Sequence, residues 1–185
     1  MALTYTTELG LGFNAPDFNL PDVVTGSNKN LNELKGEKGT VVAFICNHCP
    51  YVQRIAERLA ADTHTLMQEG VNVLAVMSND YQNYPQDAPD KMLQFAKQHN
   101  FQFPYLIDED QAVAKAYGAV CTPDFFGLNK SGELQYRGRL DSLAAAPMGS
   151  DREPELLNAM RQIAATGKGP EEQIASMGCS IKWKA

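Results

Sequence analysis

The stretch Val41-Val42-Ala43-Phe44-Ile45-Cys46-Asn47-His48-Cys49-Pro50-Tyr51-Val52 decides the fold. Its first five residues are an unbroken apolar run with three β-branched side chains, the pattern of a strand covered on both faces of a sheet. The run passes through a Cys-x-x-Cys directly into a helical pattern. From Pro50 onward, Val52, Ile55, Ala56, Leu59, Thr63, Leu66 and Met67 keep three-and-four spacing, Gln53, Glu57, Arg58 and Asp62 fall off that face, and Gly70 ends it. Two thiols thus stand at a seam between strand end and helix start, where unpaired N–H groups and the positive end of the helix dipole favour a thiolate.

Outward from this seam the pattern continues as strand and helix. Val71 and Val73 to Met77 form a second apolar run, which makes strand–helix–strand the parallel βαβ unit. A polar loop covers 78–88, Pro89 opens a helix through Met92, Phe95 and Ala96, and Phe103 to Ile107 is a short strand weakened by Pro104. Asp110 is expected to cap a compact helix closed by Gly118. Asn129-Lys130-Ser131-Gly132 between two apolar runs signals a hairpin, and Leu156, Leu157, Met160, Ile163 and Ala164 mark the last helix. Upstream, Thr25-Gly26-Ser27-Asn28-Lys29 signals a small hairpin, and Leu31 and Leu34 fit one helical turn before a strand over 40–46. Residues 1–15 and the tail 171–185 carry no clear period. The order, with an antiparallel pair late in a mostly parallel sheet, predicts an α/β three-layer sandwich.

The chain of 185 residues fits one domain, expected to have its core at about 12–166. A net charge of -6 without a Lys/Arg cluster argues against nucleic acid or an anionic membrane as partner. Met1 to Leu20 has no basic segment followed by an apolar one, and no run approaches the roughly 18 apolar residues of a spanning helix, so a cytoplasmic location is expected. Four cysteines in such a chain point to redox or metal chemistry rather than to a disulfide framework.

The two-residue spacing of Cys46 and Cys49 suits disulfide exchange, in which one thiolate attacks, a mixed disulfide forms, and the neighbouring thiol resolves it. Cys46, at the strand end, is expected to be the exposed and more acidic attacker, and Cys49 the buried resolver. Asn47 and His48 lie between them as modulating residues, a protonated His48 adding positive charge near the thiolate. The couple should then be more oxidising than a thioredoxin-like value near about −270 mV. The chain's own sulfurs supply the redox centre, so no cofactor is implied.

The segment Phe44-x-Cys46-x-x-Cys49-Pro50 resembles the active-site segment of the thioredoxin fold. Tyr117-Gly118-x-x-x-Thr122-Pro123-Asp124-x-Phe126-x-Leu128, followed by Gly132, Tyr136, Arg137-Gly138 and Asp141, resembles the second half of the alkyl hydroperoxide reductase/thiol-specific antioxidant branch. Asn14-Ala15-Pro16-Asp17-Phe18-x-Leu20-Pro21 is similar to its opening hairpin. The resemblance implies a thioredoxin-like fold with an N-terminal β-hairpin and a thiol–disulfide oxidoreductase. It further implies a cis Pro123, with the backbone of Thr122 exposed beside the dithiol for an extended substrate. Partners would be protein or small disulfides and thiols, or peroxides, with a thiol electron donor. Peroxiredoxins proper place Pro and Thr or Ser just before a single attacking Cys and use a later Arg. Here the positions before Cys46 are apolar, which favours the dithiol chemistry.

A thiol peroxidase acting through Cys46 stands as the enzymatic alternative. From another class comes a zinc or copper protein holding its metal through Cys46 and Cys49, with Cys121 and Cys179 able to complete a four-cysteine site. An interaction module on the same fold is a further reading. Cys121 and Cys179 are candidate auxiliary thiols, Cys179 pairing with Cys121 or with the couple if the tail folds back. Arg137 and Arg139 alternate on a strand and are expected to face solvent.

Overall fold

The computed structural model describes residues 3–6, 10–149 and 151–185. In chain order the elements are β1 (Leu3–Tyr5), β2 (Asn19–Pro21), β3 (Asn28–Asn30), α1 (Leu31–Leu34), β4 (Thr40–Phe44), α2 (Pro50–Gln68) and β5 (Asn72–Met77). A 3-10 turn (Pro85–Asp87) precedes α3 (Pro89–Gln98), β6 (Tyr105–Ile107), α4 (Ala112–Tyr117), β7 (Cys121–Thr122), β8 (Asp124–Leu128), β9 (Leu134–Gly138), α5 (Glu155–Thr166) and β10 (Met177–Ser180). Among the described residues no helix is long and apolar enough to cross a membrane.

The central sheet runs β6-β5-β4-β8-β9. β4, β5 and β6 are parallel, β8 runs antiparallel to β4, and β9 runs antiparallel to β8, as the late hairpin signal predicts. β4 is the middle strand, with all five residues buried. The pleat sends Val41, Ala43 and Ile45 into one core with α2, α3 and α5, and Val42 and Phe44 into the other with α1, α4 and the β2–β3 hairpin. Fully burying each of the larger apolar side chains stabilises by about 1.5–3 kcal/mol, so this strand anchors both layers.

Ile45 still donates to Val76 O at 3.1 Å, and the chain leaves the sheet at Cys46. Pro50, at the first turn of α2, costs no hydrogen bond because that N–H has no helical partner.

Three differences from the sequence expectations have physical causes. α4 is capped mainly by Asp108, which accepts from Val113 N and Ala114 N at 3.1 and 2.8 Å, whereas Asp110 takes only Ala112 N at 3.0 Å. Arg58 and Asp62, off the apolar face of α2, are nonetheless buried. Arg58 Nε donates to Asp141 Oδ2 at 2.7 Å, and Arg152 bridges Asp141 and Asp62, so an ion-pair network rather than a core holds the 141–152 loop to α2. Arg137 and Arg139 do not face open solvent. Arg137 is 6% exposed, pairs with Asp124 at 3.1 Å and stacks on Phe126, while Arg139 pairs with Glu155 at 2.7 Å.

The apparently patternless ends make a second sheet. β10 pairs antiparallel with β1 on one side and with β7 on the other, Cys179 lying opposite both Leu3 and Thr122.

Candidate active site

Cys46 follows the end of β4, and Cys49 is the N-cap residue of α2. The Thr122–Pro123 peptide is cis. Thr122 Oγ1 lies 3.2 Å from Cys46 Sγ, and Thr122 O lies 3.2 Å from Cys49 Sγ. Thr122 therefore faces both sulfurs, as the resemblance implies. Its backbone edge, however, is not exposed to an incoming chain, because β10 already occupies it through the Cys179–Thr122 pairing.

Cys46 is only 1% exposed, and Cys49 is fully buried. The expected exposed attacker is thus a covered one. The buried Asp87, from the 3-10 turn, accepts from Asn47 N and His48 N at 2.8 and 3.3 Å and from Asn79 Nδ2 at 2.8 Å. His48 Nδ1 donates to Asp87 Oδ2 at 2.6 Å, so the carboxylate balances any positive charge on the ring. Asn47 also receives the Tyr105 hydroxyl on Oδ1 at 3.0 Å, and its amide donates to Gln86 O at 3.1 Å. The loop between the cysteines is thereby fixed by a residue some forty positions along the chain that nothing in the Cys-x-x-Cys spacing signals. An acidic residue before the proline of α3 in a polar loop is the only trace of it in the sequence.

These contacts reverse the expected acidity. Cys46 is pushed well above the ordinary thiol range, first by the hydrogen bond it gives to Cys49, then by burial and by the Asp87 carboxylate. Cys49 is brought down to about 5, chiefly by that same hydrogen bond, with further bonds from Cys179 and from the Val52 N–H in the first turn of α2 opposing its burial. The helix start thus stabilises charge on Cys49, and the buried pair holds its remaining proton on Cys46.

Cys179 comes to the site from β10, its Sγ 2.9 Å from Cys49 Sγ. Its partner is the dithiol rather than Cys121. The Cys121 thiol faces Thr6 Oγ1 and Pro123 O at 3.8 and 3.9 Å and is pushed up to about 12, first by burial and then by Asp124. Among the described residues a four-cysteine tetrahedron is not assembled. The one group of three among the described residues able to converge on a metal is Cys46, His48 and Asp87, with ligand atoms within 4.8 Å of one another. The hydrogen bond from His48 to Asp87 already engages two of those three groups.

Residues 11–137 match the AhpC/TSA family. The chain belongs to this family. A protein of known structure, the uncharacterized conserved protein from Geobacillus kaustophilus, is similar over 100% of this chain and 97% of its own, at 39% identity and a TM-score of 0.89. Thiol-disulfide oxidoreductase ResA of Geobacillus kaustophilus (strain HTA426) is 29% identical over 132 residues, 71% of each chain. The thioredoxin domain of a thiol-disulfide oxidoreductase from Bacteroides vulgatus is similar in fold, with a TM-score of 0.65 over 85% of this chain and 99% of that one at 16% identity. The fold is thioredoxin-like, with the family's N-terminal hairpin formed by β2 and β3.

Proposed function

We propose that this AhpC/TSA family protein is a thiol–disulfide oxidoreductase in which Cys46 attacks a substrate disulfide and Cys49 resolves the product. The observation that carries the reading is the placement of both sulfurs against Thr122 at the β4–α2 seam, Cys46 Sγ 3.2 Å from its Oγ1 and Cys49 Sγ 3.2 Å from its carbonyl oxygen. As substrate approaches, Cys46 loses its proton to solvent. Cys46 sulfur then bonds to one substrate sulfur, the substrate S–S bond breaks, and the other half leaves as a thiol after protonation. Cys49 sulfur next attacks Cys46 sulfur, releasing the second half as a thiol and leaving a Cys46–Cys49 disulfide. An external thiol donor returns the two electrons. Substrates are protein or small disulfides.

A substrate chain pairing with the backbone of Thr122 must displace β10. A cleft of about 510 Å3 beside the start of α2, lined by Pro50, Tyr51, Arg54, Ala145 and Met177, offers room next to that edge. The peroxidase alternative finds less support. The Asp87 carboxylate, not an arginine, is the strongest fixed charge acting on Cys46, and Arg58, Arg137, Arg139, Arg152 and Arg161 are committed to carboxylates elsewhere.

The test is reduction of a disulfide-containing protein by the reduced enzyme, with single-turnover trapping. Cys49→Ser should accumulate a mixed disulfide at residue 46, and Cys46→Ser should accumulate none. Equal turnover by wild type and Cys46→Ser would refute the assignment, and peroxide consumption without disulfide reduction would move it to the peroxidase.

A further inference from the structure

Cys49 has a sulfur neighbour on either side, and only one of them belongs to the Cys-x-x-Cys. Cys46 stands beside it against the same Thr122, and Cys179 Sγ lies 2.9 Å away. Cys179 is not brought there by a loosely laid tail. Before it, Thr6 N donates to Ser176 O at 3.0 Å, Ser176 Oγ donates to Gly138 O at 3.1 Å, and Arg139 N donates to Ile174 O at 3.1 Å. After it, Ile181 N donates to Val120 O at 3.0 Å, Lys182 N donates to Asn79 Oδ1 at 2.9 Å, and Gln111 Nε2 donates to Lys182 O at 2.8 Å. Main-chain and side-chain bonds on both flanks therefore fix the height of residue 179 along the Thr122 edge. Gly178 makes the seating possible: a Cβ there would run into Thr122 O and approach Pro123 Cδ to 3.1 Å. The close approach needs a residue without a side chain.

We propose that Cys179 is a third redox thiol of the site, able to take over the disulfide from the Cys46–Cys49 pair. The inference rests on the dithiol reading of that pair. The step is a thiol–disulfide exchange within one chain. Cys179, having lost its proton, forms a bond from its sulfur to Cys49 sulfur; the Cys46–Cys49 bond breaks, and Cys46 leaves as a thiolate that takes up a proton. One disulfide is consumed and one is formed, so no external oxidant or reductant enters. Cys46 becomes a thiol again while the oxidising equivalent rests at Cys49–Cys179, on the strand that covers the substrate edge.

In the reduced protein the Cys179 thiol is pushed up to about 12, by burial, by its hydrogen bond to Cys49 and by the charge on Cys49. The last two causes vanish once Cys49 is in a disulfide.

The experiment is to oxidise the full chain with one equivalent of diamide, quench in acid, alkylate, and map disulfides by mass spectrometry. Wild type should yield both the 46–49 and the 49–179 links, and Cys179→Ser only 46–49. Cys46→Ser should form 49–179 at a rate independent of protein concentration. Gly178→Ala, which touches no thiol, should keep 46–49 and lose 49–179 by at least about tenfold, the ratio that about 1.4 kcal/mol against the seated strand produces. A 46–49 link in wild type, with no 49–179 link in either wild type or Cys46→Ser, would overturn the inference and leave the dithiol reading standing. Absence of 46–49 from oxidised wild type would overturn both.

Discussion

The uneven acidity of the two active-site thiols has a measurable consequence in the pH dependence of the couple. With Cys49 at about 5 and Cys46 well above the ordinary range, the reduced site carries one proton through the neutral range, where two ordinary thiols near about 8.5 would carry two. Reducing the disulfide then takes up one proton with two electrons, and the midpoint potential should fall by about 30 mV per pH unit between about pH 6 and 8. A pair of ordinary thiols would fall by about 59 mV per unit. At pH 7, a thiolate two pH units above its titration stabilises the reduced form by about 2.7 kcal/mol, which raises the potential by about 60 mV. The couple is therefore expected on the oxidising side of thioredoxin, in the direction read from the sequence but with the charge on Cys49.

The assay equilibrates the protein with thiol–disulfide buffers across that pH range and quantifies the reduced fraction by alkylation. A parallel titration of the thiolate ultraviolet absorbance should show a midpoint at about 5. Cys46→Ala removes the largest cause of that acidity, so its midpoint should rise. A slope near about 59 mV per unit throughout the range would refute the one-proton site.

The remaining predictions concern the surroundings. Asp87→Asn removes the carboxylate that raises Cys46 and that accepts from Asn47 N and His48 N; the pH–rate profile of Cys46 alkylation should move to lower pH, and stability should drop by about 1–3 kcal/mol in denaturant titration. An unchanged profile would exclude Asp87 as a cause. Asp141→Ala strips Arg58 of its carboxylate partner and Arg152 of one of two, a loss of about 3–5 kcal/mol. Melting should fall by about 2–4 °C for each kcal/mol in a chain of this length, and a fall of under about 2 °C would show the network to be dispensable. Burial raises Asp124 to about 6. A carboxyl whose folded value lies above its unfolded value of about 3.9 contributes stability that is full below about pH 4 and lost as pH rises through about 6. Denaturant titrations across that window should show this loss in wild type, and Asp124→Asn should remove that component of the pH dependence.

Much of the fold was legible in the residues because it is local. The apolar run before Cys46 marks a strand covered on both faces, and the spacing from Val52 to Met67 marks the covering helix, since period follows directly from pleat and helical pitch. Arg58 and Asp62 fall off that helix face on the same grounds. They are buried because Asp141 and Arg152 arrive from a distant loop to balance their charge, and periodicity carries no record of a charge partner.

The sequence alone therefore determined the β4–α2 seam, the two thiols placed on it and the threonine–proline pair, each a matter of neighbouring residues. Tertiary structure decided which sulfur bears the charge, through the neighbouring Cys49, burial and Asp87 in that order, and what covers the Thr122 edge, through β10. It also set Cys179 against Cys49 across 130 positions of chain. A four-residue strand without side-chain alternation gains its place from hydrogen bonds to backbone on both sides, and main-chain donors and acceptors are the same for every residue type, so no pattern of side chains announces where such a strand will dock.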